Sequence, residues 1–348
     1  MAYTTINNPE LYFQTKAWTG TGNEIAVTFD GSQNMQPDWV WLKKRSAAGI
    51  HVAHDSVRGA TKRLVPNSTD GETTQAQYVK SFDSNGITFG TDTDINANGA
   101  TAILWGWKAG NSSGSSNTDG SITSTVSVNT TAGFSICKWA GSGANATIGH
   151  GLGAVPKLII TKSMAGSTSW CVYHASLGNT KTIFLESNGT GNTHVAYYNN
   201  TSPTSSVFTV GTDSGVNHSG NNMIAYCFAE KTGYSKFGQY TGNENVNGTF
   251  VFCGFKPAWV MIKRTNSANH WTMYDNKRLG YNNDNKVLYA NETAAEEELE
   301  IDLLSNGFKC KNTDNKVNGS GNPYIFMAFA EEPLVANVGS SGVPATAR

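Results

Sequence analysis

At 348 residues the chain is long enough for two or three domains. With 15 % charged and 38 % hydrophobic residues and a remainder leaning on Gly, Ser, Thr and Asn, it favours short strands joined by turns over helices. A net charge of −1 and a pI near 6.7 leave no basic stripe for a nucleic-acid backbone, and no apolar run approaches the roughly 18 residues of a membrane helix. The opening MAYTTINNPELYFQ carries neither the basic nor the apolar part of a signal peptide. The Cys count is odd, and Cys137, Cys171, Cys227 and Cys253 lie in apolar strand-like runs, which fits a reducing cytoplasm without a disulfide framework.

In chain order, the turn Trp18–Gly20 (WTG) comes first. Pro37 then opens PDWVWLKKRSAAGIHVAHD. Proline donates nothing to a ladder and suits the first residue of a strand, and WVWL is apolar on both faces, as a covered central strand is. Lys44–Arg45 marks its expected emergence into solvent. TDTDINANGATAILWGW (Thr91–Trp107) follows, with NANG read as a hairpin turn before a last strand. That strand sets Ile103, Trp105 and Trp107 on one side and Gly106 on the other. Asn111–Thr131 begins as a flexible polar linker and ends in an alternation suited to an edge strand.

The pattern then returns twice. WAG (Trp139–Gly141), PKLIITKSMAGSTSWCVYH from Pro156 and TDSGVNHSGNNMIAYCF from Thr212 form the second copy. YTG (Tyr240–Gly242), PAWVMIKRTNSANHWTMYD from Pro257 and TDNKVNGSGNPYIFMAF from Thr313 form the third, where Lys263–Arg264 repeats the basic pair. The last strands repeat the division into a bulky side (Ile224, Tyr226, Phe228; Ile325, Met327, Phe329) and a small side (Ala225, Cys227, Ala229; Ala328, Ala330). Bulk fills a core, and small side chains let another layer or a large aromatic lie close. A period near 100 residues means whole domains in tandem. The expected fold is all-β, with three tandem homologous antiparallel β-sandwich, jelly-roll-like domains of about six to eight strands each. Their expected bounds are 1–110, 132–232 and 233–333, with a linker at 111–131 and a tail at 334–348.

One stretch departs from strand patterning. In Asn291–Leu304, Thr293 with Glu296 fits a capping box for a single helical turn, and the acidic side chains around it fit a solvated face. His54–Asp55–Ser56 holds the letters of a hydrolase triad, but the other copies carry Tyr173–His174–Ala175 and Tyr274–Asp275–Asn276, so the site reads as a structural corner with ion pairs Asp55–Arg58 and Asp275–Arg278. Asp92, Asp213 and Asp314 read as turn caps, and the other reading is a β-loop calcium site; no other cofactor is expected. There is no Gly-x-x-x-x-Gly-Lys, paired Cys-x-x-Cys or His-Glu-x-x-His. The aromatics allow two readings. Trp41, Trp105, Trp170, Trp271 and Tyr274 suit a sugar-stacking platform, with Tyr197 and Tyr198 in HVAYYNN (His194–Asn200) at a receptor groove. Recurrence at matched positions argues instead for core packing.

ELYFQTKAWTGTG, QPDWVWLKKRSAAGIHVAHDSVRG, SSNTDGSITSTVSVNTTAGFS, VYHASLGNTK, NNTSPTSSVF, YSKFGQYTGN and PAWVMIKRT together span about residues 9–333. These strings resemble a family of tail-fibre-like and virion structural proteins of marine and cyanobacterial tailed phages. The resemblance implies a particle component with no catalytic residues to carry over. The expectation is a non-enzymatic virion structural protein, assembled in the host cytoplasm and displayed on the virion surface as a tail-associated fibre or adhesin for host attachment. The alternatives are a capsid decoration or head-fibre protein and, third, a polysaccharide depolymerase with paired carboxylates in a groove. Expected partners are other virion proteins and a host-surface glycan or receptor, without nucleic acid or membrane insertion. Assembly as a homotrimer and a pseudo-threefold disc within one monomer both fit three copies of a unit.

Overall fold

A computed structural model describes residues 4–278, 282, 285–338 and 341–344. After a capped 3-10 turn at Pro9–Leu11, the first unit comprises β1 (Phe13–Thr19), β2 (Ile25–Thr28), β3 (Trp39–Lys44), β4 (His51–Asp55), β5 (Lys62–Arg63), β6 (Thr73–Thr74), β7 (Val79–Asp83), β8 (Gly86–Phe89), α1 (Thr93–Asn96) and β9 (Thr101–Trp107). The linker forms β10 (Ser115–Asn117) and β11 (Ser124–Asn129). The second unit runs through β12 (Phe134–Ala140), β13 (Ala146–Gly149), β14 (Leu158–Ser163), β15 (Cys171–His174), β16 (Lys181–Phe184), β17 (Asn192–Thr193), α2 (Val195–Tyr198), β18 (Val207–Val210), α3 (Ser214–Asn217) and β19 (Asn222–Phe228). The third has β20 (Ser235–Thr241), β21 (Phe250–Phe252), β22 (Phe255–Arg264), β23 (Trp271–Asp275), β24 (Lys286–Tyr289), β25 (Glu297–Glu298), β26 (Ile301–Leu304), β27 (Gly307–Cys310) and β28 (Pro323–Pro333). A hairpin of β29 (Val335–Val338) and β30 (Ser341–Pro344) occupies the tail expected at 334–348, of which 339, 340 and 345–348 lie outside the described residues.

The molecule is built almost wholly of antiparallel sheet, and one strand order occurs three times. First strand pairs with last, last with third, and third with fourth, giving β1-β9-β3-β4, β12-β19-β14-β15 and β20-β28-β22-β23. In the second and third units β16–β17 and β24–β25 extend this sheet. A smaller sheet lies against each large one, ordered β2-β8-β7, β13-β18 and β21-β27-β26. In the second unit the chain between β17 and β18 turns through α2 and adds no strand to the small sheet. The alternation at the linker's end becomes β11, which pairs with β12 from Thr125↔Lys138 to Asn129↔Phe134.

The two faces of each large sheet meet different cores. Small-side residues and their neighbours pack inside their own unit: Val40, Leu42 and Leu104 with Val27, Ile87 and Phe89 in the first, Ala225 and Cys227 with Ile148, Phe208 and Val210 in the second, and Ala328 and Val260 with Leu303 and Phe308 in the third. A Cβ on Gly106 would lie 2.7 Å from the ring of Phe29, so an aromatic does lie across the small side of β9. The bulky sides all converge. Trp39, Trp41, Trp105 and Trp107 join Phe134, Ile160, Tyr226 and Phe228 and then Trp259, Met261, Met327 and Phe329 in one core common to the three units. Ring pairs cross the unit boundaries, with centroids 4.4 Å apart for Trp39–Tyr226 and 5.2 Å for Phe13–Phe329. Each such side chain contributes about 1.5–3 kcal/mol through burial.

Two local expectations are corrected. Residues 292–296 form no helical turn; the Thr293 carbonyl accepts from the Gly49 amide and the Glu296 amide donates to the Arg45 carbonyl, so these groups bond to the first unit instead. The segments NANG and NHSG are not simple hairpin turns, since their first Asn closes the capped helical turns α1 and α3.

Candidate binding surface

The residues that recur between units are nearly all interior. Lys43, Lys162 and Lys263 are each fully buried, six residues after the aligned prolines. Sequence reading put the basic pairs at the emergence into solvent; instead Lys263 is enclosed and Arg45 is only 9 % exposed. Each of these lysines closes a seam between units. Lys43 Nζ donates to the carbonyls of Gly49 (2.8 Å) and Thr293 (3.0 Å). Lys162 Nζ donates to Thr168 (2.7 Å) and Thr69 (3.0 Å), and Lys263 Nζ to Asn269 (2.7 Å) and Asn188 (2.9 Å). The first unit thus reaches the third, the second reaches the first, and the third reaches the second. The amides of Gly49, Thr168 and Asn269 donate to the same far carbonyls, Thr293, Thr69 and Asn188. Four residues before each of those carbonyls lies another acceptor: Tyr289 receives His51 Nε2 (2.9 Å), Val65 receives Trp170 Nε1 (3.0 Å) and Phe184 receives Trp271 Nε1 (2.9 Å). Burial pushes Lys43 and Lys162 down to about 8 and Lys263 to about 7. Arg45 adds a two-pronged ion pair to Glu296 at 2.8 and 2.9 Å on the first seam.

The triad-like corner is structural. Asp55 accepts from Arg58 Nε and from the hydroxyl of Tyr226 in the second unit (2.7 Å). Asp275 accepts from Arg278 Nε (2.8 Å) and from the indole of Trp105 in the first unit (3.0 Å). A buried carboxylate requires such donors. In the second unit aspartate is replaced by His174 and arginine by Leu177, and the facing residue of the third unit is Met327, which has no donor to offer. His174 Nε2 donates to the carbonyl of Phe326 instead (3.2 Å), and burial pushes its imidazole down to about 4. Carboxylate, arginine and facing donor are absent together.

Asp92, Asp213 and Asp314 each accept the amide two residues on, at 2.8, 2.8 and 2.7 Å. They cap turns in three separate units, and no group of three or more His, Cys, Asp or Glu side chains arranged for a metal occurs among the described residues. Sequence reasoning missed the asparagines that follow. Asn96, Asn217 and Asn318 are fully buried, and their Oδ1 atoms accept the amides of Thr21 (3.0 Å), Ser142 (3.0 Å) and Asn243 (3.1 Å) just past the Gly20, Gly141 and Gly242 turns. Their matched spacing in the three strings was the available signal.

The seven aromatics proposed for binding form no open platform, and Tyr274 lies buried in the third unit's own core. Trp41, Trp105, Trp170 and Trp271 are at most 2 % exposed and lie in the common core. Tyr197 and Tyr198 pack into the second unit's own core, with Tyr198 sharing a hydrogen bond with Thr182. An interior ring has no face for a sugar to stack on.

The surface itself shows where the units differ. The third residues of β8, β18 and β27 pair with Ala26, Thr147 and Phe250. Two residues on stand Thr28, Gly149 and Phe252. On β2 these outward positions are exposed Ala26 and Thr28, flanked by the Lys80–Glu24 ion pair. On β13 they are sheltered by the linker. On β21 they are Phe250 and Phe252, 44 % and 57 % exposed, close in sequence to Val246 at 65 %. A groove of about 270 Å³ adjoins Phe252, lined also by Lys236, Cys253, Gly254, Leu334 and Val335.

The sequence pattern of a family described as a domain of unknown function, DUF7483, matches residues 8–333, and the chain belongs to that family. No curated protein matches the chain.

Proposed function

We propose that this protein is a non-enzymatic bacteriophage structural component, displayed on the virion surface as a tail-associated adhesin for host attachment. The observation that carries this reading is where the recurring residues lie. The matched tryptophans, lysines, aspartates and arginines are taken up by a common core and its seams, which makes a rigid block whose outer edges and loops are free to vary. Such a block suits the presentation of recognition surfaces, and the likeness of the repeated strings to phage virion proteins supports its place on a particle. The partners under this reading are neighbouring virion proteins and a host-surface glycan or receptor.

Gold-labelled antibody on intact virions, with copy number from quantitative mass spectrometry, tests it. Tail labelling with a handful of copies is expected. Capsid labelling with hundreds of copies would replace the adhesin by a capsid decoration, and depolymerisation of host capsule by the pure protein would overturn the non-enzymatic assignment.

A further inference from the structure

Strands β2, β13 and β21 each lie at an edge of a small sheet, and the second unit shows what such an edge accepts. There the linker passes beside β13 through a single parallel bridge, Ile122 to Ile148. Ile122 N donates to the Thr147 carbonyl (3.2 Å), Ser121 N to Thr147 Oγ1 (2.8 Å) and Ser124 Oγ to the Gly149 carbonyl (2.8 Å). The segment lies outside the repeated unit, so the edge is completed by polypeptide brought from elsewhere.

On β21 the matching groups have no partner among the described residues. The Thr249 carbonyl accepts from Cys310 and the Cys253 amide donates to Asn306, so the odd-numbered residues turn toward β27. By the period of a strand, the main-chain groups of Phe250 and Phe252 turn away from it. Among the described residues these two make no main-chain hydrogen bond outside the β27 ladder. A bare edge flanked by exposed aromatics is what proteins ordinarily blunt, and β2 is blunted by Ala26, Thr28 and an ion pair.

We infer that the edge of β21 is a docking site for an extended segment of a partner protein, which adds as a parallel strand with apolar residues beside Phe250, Val251 and Phe252. Main-chain bonds to Phe250 and Phe252 would set its register. Val251, facing the third unit's core, meets the residue that takes the place of Ile122. The groove beyond Phe252 takes a following side chain. This rests on the third unit's surface and on the linker's precedent, and it stands or falls separately from the virion reading.

The test uses the full chain and a fluorescein-labelled nine-residue peptide copying 118–126, TDGSITSTV, with Ser121→Val and Thr123→Val to suit the aromatics. Saturable binding by fluorescence anisotropy is expected. Phe250→Pro removes an amide that β27 does not use, so the fold should persist while binding weakens at least about tenfold. Phe252→Ser, which keeps the main chain intact, should weaken it comparably and serves if the proline variant does not fold. Absence of saturable binding overturns the inference, as does binding that neither variant changes. A dimer of the unmodified protein that Phe250→Pro dissolves also overturns it, because the edge would then belong to a second copy.

Discussion

The seam lysines show how a single residue type does different work inside a protein. On a surface Lys43, Lys162 and Lys263 would be solvated charges; here each ammonium ties a loop of its own unit to a loop of the next. Carbonyl acceptors hold the proton on, and burial pushes the other way. Their folded values of about 8, 8 and 7 lie below the ~10.4 of an exposed lysine. Between those limits the folded chain binds fewer protons than the unfolded one, so stability rises with pH. Buried histidines act in the same direction at lower pH, with His174 held to about 4 and His54 to about 3 by burial. Buried cysteines such as Cys171 and Cys227, and buried tyrosines such as Tyr226 and Tyr274, are raised, so they oppose the trend from about pH 8.5 upward. Thermal unfolding followed by circular dichroism should therefore give a midpoint that climbs from pH 5 to about 8.5, levels, and then drops. In Lys263→Met the climb above pH 7 should flatten, and an unchanged slope would show that this lysine does not carry it.

At the scale of the element, the turns ending the first strand of each unit depend on close backbone approach. A Cβ on Gly20, Gly141 or Gly242 would sit 2.3, 2.2 or 2.4 Å from the carbonyl oxygen of Ala97, His218 or Gly319. The constraint is space, because none of these glycines has positive φ, and the buried asparagine beside each turn holds the opposing segment in place. Gly141→Ala should cost about 1–3 kcal/mol in urea denaturation. Gly166→Ala, whose added methyl would meet only an atom 3.6 Å away, should stay within about 0.5 kcal/mol. The WTG, WAG and YTG repeats made these turns legible as turns. The need for glycine was not legible, since the colliding carbonyl lies some 77 residues further along the chain.

For the whole molecule, the common core makes three units interdependent. A separated second unit would expose Ile136, Ile160, Trp170, Tyr226 and Phe228, an apolar surface of the kind that drives association. The expected outcome is that residues 111–232 expressed alone aggregate or oligomerise, while the intact chain unfolds in one calorimetric transition. Three resolved transitions, or a monomeric isolated unit, would contradict this. The seam bonds run from the first unit to the third, from the second to the first and from the third to the second, so they close a ring within the chain.

Turn chemistry and period-two patterning were enough to specify β structure, a strand near each of Pro37, Pro156 and Pro257, and the two unlike faces of each last strand, because these are local properties of the chain. The prolines do not open those strands, since β3 begins at Trp39 and β14 at Leu158, while Pro257 lies inside β22 at a shift of register. Which core each face enters was decided only by tertiary structure. Recurrence already favoured packing over a platform for Trp105 and Trp170, but which units would close over them was not in the sequence. Arg45 and Lys263 read as solvent-facing until loops of the third and second units supplied Glu296 and Asn188 as partners. The exposed pair on β21 could be recognised only after strand pairing aligned Phe250 with Ala26 and Thr147, since burial is a relation between segments far apart in sequence and no window of residues contains it.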